Sequence, residues 1–162
     1  SLLKMKYPYP PHRIAEILDM GKCLPEEDTV QIESTKGSVK GRQFETRPEL
    51  IDGPYVDMRY LGKAPVSDDT TSYDASFLMA GHRVRGVGFN EIARNNLRFK
   101  RRIEKGWHLN VCDPNLHTND PKQNIHQPLP DFAVSDFRDF IQKTANLWKI
   151  DLGWKWEVDL FS

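Results

Sequence analysis

The residues of this chain best able to do chemistry are its histidines. Three of the five lie in KGWHLNVCDPNLHTNDPKQNIHQPLP, residues 105–130, as His108, His117 and His126. Just upstream, residues 82–108 carry eight cations, Arg83, Arg85, Arg94, Arg98, Lys100, Arg101, Arg102 and Lys105, against two acids, Glu91 and Glu104. Imidazole titrates near neutrality, so one ring can take a proton and another can give one. Guanidinium and ammonium groups stabilise a phosphate that gains charge in a transition state. Strand scission of RNA through its own 2′-hydroxyl needs only these parts: a base, an acid and a cation. The candidate catalytic set is therefore His108 with His126, His117 or His82, beside Arg102. Arg83, Arg85, Arg98, Lys100 and Arg101 are the candidate nucleic-acid contacts. The scheme calls for no metal and no other cofactor.

A plainer reading of the same residues stands beside it. Asp-Pro at 113 and 120 favours turns, so the segment can be two polar turns on a surface. Asp113, Asp120 and Asp131 can neutralise a basic strand. His108, His117 and His126 recur every nine residues, a period that fits one face of neither a helix nor a strand, so zinc is not expected. Cys112 has no base oriented toward it. GVGFNE lacks the third glycine of a dinucleotide fingerprint, and neither a Walker loop nor a Gly-x-Ser-x-Gly elbow occurs. Two functions from different classes thus stay open: a metal-independent ribonuclease, and a non-catalytic module that binds nucleic acid or protein through 94–105. A sheet edge that pairs with a second copy of the chain is a third.

Two foldings of 90–105 compete. One is a helix capped by Asn90 and stopped by Gly106. The other, preferred here, is a hairpin in which Leu97, Phe99 and Ile103 alternate with Arg98, Lys100 and Arg102, and turns at EKG. In that hairpin Trp107, Leu109 and Val111 return along the apolar face. Arg102 then faces His108, and Lys100 faces Asn110.

The remaining elements frame this segment. YPYPP at 7–11 excludes helix, and a short helix follows with Pro11 in its first turn, Ile14, Ile17 and Leu18 inward, and Gly21 as its stop. DTVQIES and SVKGRQFETRP suggest strands around TKG. PYVDMRYLG alternates Val56, Met58 and Tyr60 against Tyr55, Asp57 and Arg59. SYDASFLMAGHRVRGVGF reads as a hairpin turning at AGH, with Tyr73, Ala75, Phe77 and Met79 on one face. Gly86 and Gly88 in the returning strand mark a bulge or a close approach. SDFRDFIQKTANLW is an amphipathic helix with Ser135 as its cap and Phe137, Phe140, Ile141, Thr144, Ala145 and Trp148 on one side. GWKWEVDLF suggests a last strand. The expectation is an α+β fold: an antiparallel sheet of about five to seven strands, a short N-terminal helix and a C-terminal amphipathic helix packed on one face.

Bulk properties agree with one domain over residues 1–162. Hydrophobic residues make up 38% of the chain and 23 cations balance 23 acids, so overall charge selects no partner. Cys23 and Cys112 have no companions for a disulfide framework or zinc ribbon. With no membrane-length apolar run and no secretion signal, a cytoplasmic location without membrane association is expected.

YDASFLMAGHRVRGVGFNE, the histidine-bearing loop and the final helix DFRDFIQKTANLW follow one another in a pattern that carries a likeness. From Ser72 to Trp148 the chain resembles the TumE-type toxins of prokaryotic toxin–antitoxin pairs. Arg83, Arg85 and Asn90 match the basic strand that ends in asparagine, and His108 matches one histidine of the loop. The family's Asp-Asn pair is Phe89-Asn90 here, and its adjacent histidines are spread over 108, 117 and 126. The resemblance implies a toxin that acts on RNA and is held by an antitoxin protein.

Overall fold

The computed structural model describes residues 7–28, 30–34, 41–66, 69–96, 101–115 and 125–153, with the backbone alone at 94, 96 and 101. Helix α1 runs Pro11–Asp19 with proline at its first position, where the missing N–H has no helical partner to lose. Ile14, Ile17 and Leu18 face the core, and the Met20 N–H closes the helix on the carbonyls of Glu16 and Ile17. Strands follow in order: β1 Lys22–Cys23, β2 Glu33–Ser34, β3 Gly41–Thr46, β4 Glu49–Leu50, β5 Met58–Pro65, β6 Asp74–Met79, β7 His82–Asn90, β8 Arg94–Asn96, β9 Arg101–Ile103, β10 Gly106–Val111 and β11 Ile125–Pro128. Helix α2, Phe137–Leu147, and β12, Ile150–Asp151, end the described chain. The expected last strand GWKWEVDLF, the TKG turn, Arg98, Lys100 and His117 lie outside the described residues.

Seven strands form one antiparallel sheet in the order β11-β10-β7-β6-β5-β3-β2. Its central hairpin turns at Ala80 and Gly81, both with positive φ, the geometry whose twist matches that of the flanking strands. A smaller sheet, β12-β1-β4, ties the two ends of the chain together through parallel β1 and β12. The α+β layout matches the sequence expectation.

The described residues of 90–105 contain no helix, and their strand pairing is not the expected one. β8 pairs with β9, so Arg102 sits opposite Asn95 and Ile103 opposite Arg94. β10 instead pairs with β7 from Gly106↔Asn90 to Val111↔Arg85. The turn at EKG therefore returns the chain to β7 rather than to 97–103, with Gly106 at φ 118. β8 and β9 form a separate two-stranded sheet, lying in the chain between β7 and β10.

One face of the sheet is covered by α2. Phe137, Phe140, Ile141, Thr144 and Ala145 are buried against it. Phe137 meets Tyr73 with ring centres 5.3 Å apart, Phe140 meets Trp107 at 5.5 Å, and Trp148, just past the helix, meets Tyr60 at 5.6 Å. Fully buried Tyr60 donates its hydroxyl hydrogen to the Ile141 carbonyl at 2.5 Å and contacts the Thr144 hydroxyl. The cap of α2 is Asp136, one residue beyond the expected Ser135: its carboxylate accepts from the Asp139 N–H at 2.7 Å. Asp139 returns the favour by accepting from the Ser135 N–H at 3.0 Å, a reciprocal cap. Among the described residues no helix is long and apolar enough to cross a membrane.

A lysine joins the two helices. Lys22 is fully buried, and its ammonium donates to Leu18 O at 3.1 Å, Met20 O at 2.8 Å and Trp148 O at 2.8 Å. These carbonyls belong to the C-terminal ends of α1 and α2, where the helix dipole is negative. The ammonium also lies 5.6 Å from the centre of the Phe77 ring. Burial lowers its pKa from 10.5 to about 8. Between those values the unfolded chain binds more protons than the folded one, so this group adds stability as pH rises through the window and withdraws it as pH falls. Urea denaturation of wild type and Lys22→Met should therefore diverge between pH 8 and 10.5, with the wild type gaining up to about 3 kcal/mol on the variant. Tyr7 and Tyr60, both pushed upward by burial, lose stability above pH 10 in the two proteins alike and cancel. A difference that stays flat would mean that water reaches the ammonium.

Candidate functional site

β10 alternates. Trp107 stacks on Phe140 of α2, with ring contacts to Phe89 at 5.4 Å and Phe132 at 5.2 Å. Its neighbours His108 and Asn110 must then point to the opposite face. β11 lies alongside with His126 opposite Asn110 and Pro128 opposite His108. The two histidines are diagonal neighbours on this outer face, and their ring centres are 5.0 Å apart at 47°. His108 is 7% exposed and Asn110 8%, while His126 is half-buried.

Two glycines of β7 make room beside them. His108 pairs with Gly88, and a Cβ built at 88 would lie 3.6 Å from the imidazole Cε1 and 3.7 Å from Nε2. Asn110 pairs with Gly86, and a Cβ there would fall 1.8 Å from Arg83 Nη2. The guanidinium of Arg83 thus lies flat on bare backbone, where any side chain would displace it. Arg83 is exposed, and among the described residues no carboxylate pairs with it.

A β-bulge decides which arginine joins the site. Phe77 pairs with Arg85 but Leu78 pairs with Arg83, so Val84 is the extra residue. Two residues apart in a regular strand would share a face; the bulge turns Arg83 outward and leaves Arg85 on the α2 side. There Arg85 donates to the Val84 carbonyl at 2.8 Å, and burial pulls its pKa below the usual guanidinium value.

The remaining sequence candidates disperse. Arg102 is exposed in the β8–β9 hairpin and its Nε meets Glu104 at 2.9 Å. Arg101 is in β9. His82 packs edge-on against Tyr7 at the far end of β7. Burial raises the Cys112 thiol against the opposing pull of Arg83 and Arg85, which disfavours the nucleophilic thiolate. No three His, Cys, Asp or Glu side chains group as metal ligands among the described residues. The sequence set Asn110 on a polar face with arginine, lysine and histidine, and read Gly86 and Gly88 as a bulge or a close approach; the bulge falls at Val84 instead. Glycines two apart in a strand with apolar neighbours signal a bare stripe on one face, and that signal was available.

At the other edge of the sheet a groove of about 710 Å³ opens beside β2, β3 and β5. Glu27, Asp28, Glu33 and Glu45 line it against Arg47 and Lys63. Excess carboxylate repels phosphate, so this groove does not compete with the histidine face for an anion.

The chain matches no protein-family model, and no curated protein or solved structure resembles it significantly.

The two glycines predict different outcomes. Gly88→Ala adds a methyl at ordinary contact distance, so its thermal midpoint should stay within a few degrees of wild type. Its methyl stands against the Nε2 edge of His108, and carbethoxylation of that ring by diethyl pyrocarbonate should slow. Gly86→Ala should fold equally well, because the displaced atoms end a flexible side chain. In that variant the His108 reaction rate should hold at the wild-type value. Equal His108 labelling in Gly88→Ala and wild type would remove Gly88 as the approach to the ring.

Proposed function

We propose that this chain is a metal-independent ribonuclease-like protein whose outer sheet face works on the RNA backbone. The observation that carries the reading is the His108–His126 pair, 5.0 Å between ring centres, on the same face as the Arg83 guanidinium. One imidazole takes the proton of the 2′-hydroxyl, and the freed oxygen attacks the adjacent phosphorus. The other imidazole protonates the departing 5′-oxygen. Arg83 offers its guanidinium to the non-bridging phosphate oxygens as charge builds on them. Gly88 puts no side chain against the edge of His108, where a Cβ would come within 3.6 Å of the ring. The resemblance to TumE-type toxins agrees with this reading; it adds a cytoplasmic setting and an antitoxin protein that would hold the face inactive.

A second reading rests on the burial of His108. A ring 7% exposed serves packing as well as it serves proton transfer, and the face would then bind RNA without cutting it.

Incubation of the purified chain with total RNA separates the two. Cleavage should persist in chelator and fall by about 100-fold or more in His108→Ala and His126→Ala. Arg83→Ala should weaken binding and lower the dependence of log affinity on log salt by about one. RNA left whole at high protein concentration, with salt-dependent binding retained, selects the binding module. Affinity equal at low and high salt rejects both.

A further inference from the structure

Asn110 holds a buried acceptor without a donor. Its residue is 8% exposed, and its Oδ1 is fully enclosed with no hydrogen-bond partner. A buried amide oxygen left this way forfeits its hydration with nothing in return, so a partner in some state of the protein is expected. Its neighbours among the described residues come from β7, β10 and β11. His126 faces it directly from β11, and His108 stands two residues away on its own strand and face. From β7, Arg83 lies over Gly86, the residue paired with Asn110. Cys112 lies just past the end of β10, and burial raises the pKa of its thiol. A neutral imidazole donates through one nitrogen and a protonated one through both. Protonation of His126 therefore creates a donor next to the oxygen that lacks one.

We propose that Asn110 is a positioning residue for the histidine pair, its carboxamide oxygen accepting an N–H of His126 when that ring carries the proton. The role rests on the reading of His108 and His126 as an acid–base pair. Asn110 then decides which of the two rings holds the proton and how that ring is turned. Two imidazoles this close repel when both are charged, so an acceptor beside one ring favours the proton on that ring. An uncharged acceptor does this without trapping the proton as a carboxylate would.

Ring-nitrogen NMR of the full chain, followed through pH, tests it in wild type, Asn110→Leu and Asn110→Asp. In Asn110→Leu the midpoint of His126 should fall by about one pH unit, and its neutral tautomer ratio should change. Asn110→Asp restores the acceptor with added charge, so its midpoint should rise above the wild-type one. An unchanged His126 midpoint and tautomer in folded Asn110→Leu overturns the proposal. Should the leucine variant fail to fold, an aspartate variant that leaves the His126 midpoint at the wild-type value overturns it equally. RNA cleavage run in parallel separates this role from the ribonuclease reading. Cleavage with an unmoved midpoint sinks the positioning role alone. A moved midpoint without cleavage sinks the nuclease alone.

Discussion

The register between β7 and β10 is the constraint on which the site depends. Pairing from Gly106↔Asn90 to Val111↔Arg85 sets Trp107 and Leu109 against the helix and His108 and Asn110 away from it. A slip of one residue would exchange the two sets: it would bury imidazole and carboxamide under α2 and expose the tryptophan. The aromatic contacts of Trp107 with Phe89, Phe132 and Phe140 lock the register from the buried side. Gly106, at φ 118, lets the chain re-enter the sheet at that point. The polar face is thus positioned by apolar packing on the other side of the same strand.

The helix that provides this packing is itself held at both ends. At its start Asp136 and Asp139 satisfy backbone donors that would otherwise face no partner. Midway, the Tyr60 hydroxyl reaches the Ile141 carbonyl and the Thr144 hydroxyl from the sheet. Past its last turn, Lys22 gathers the Trp148 carbonyl with two from α1. Burying an ammonium is expensive in isolation, and three carbonyls at two negative helix ends offset that expense. The same lysine begins β1, which pairs with β12 on one side and β4 on the other. A single side chain therefore orders the junction of both helices and the small sheet.

Charge divides the outer face of the large sheet. Glu33 and Glu45 stand at the β2–β3 edge, with Glu27 and Asp28 nearby, and Arg83, His108 and His126 stand toward the β11 edge. A neutral chain thereby offers one end of the face to anions and the other to cations. Arg102, in the β8–β9 pair that lies in the chain between β7 and β10, is joined to Glu104 and adds no free charge to that end.

Sequence by itself determined the elements and their inner faces. The alternation of Met58 and Tyr60, of Ala75, Phe77 and Met79, and the helical stripe from Phe137 to Trp148 were all legible, because burial imposes a period that a single strand or helix displays locally. The glycine-rich turn at Ala80–Gly81 and the proline start of α1 were legible for the same reason. Which strand lies beside which was not. The choice of β7 over 97–103 as the partner of β10 depends on side chains far apart in the chain that meet only when the sheet closes around α2. The bulge at Val84 parted Arg83 from Arg85, a separation that a two-residue period cannot foretell. The meeting of His108 with His126 required β11 to return to the edge of β10, and no spacing of nine residues encodes that return. Periodicity is a property of one segment; convergence is a property of pairs, and only the tertiary structure decides it.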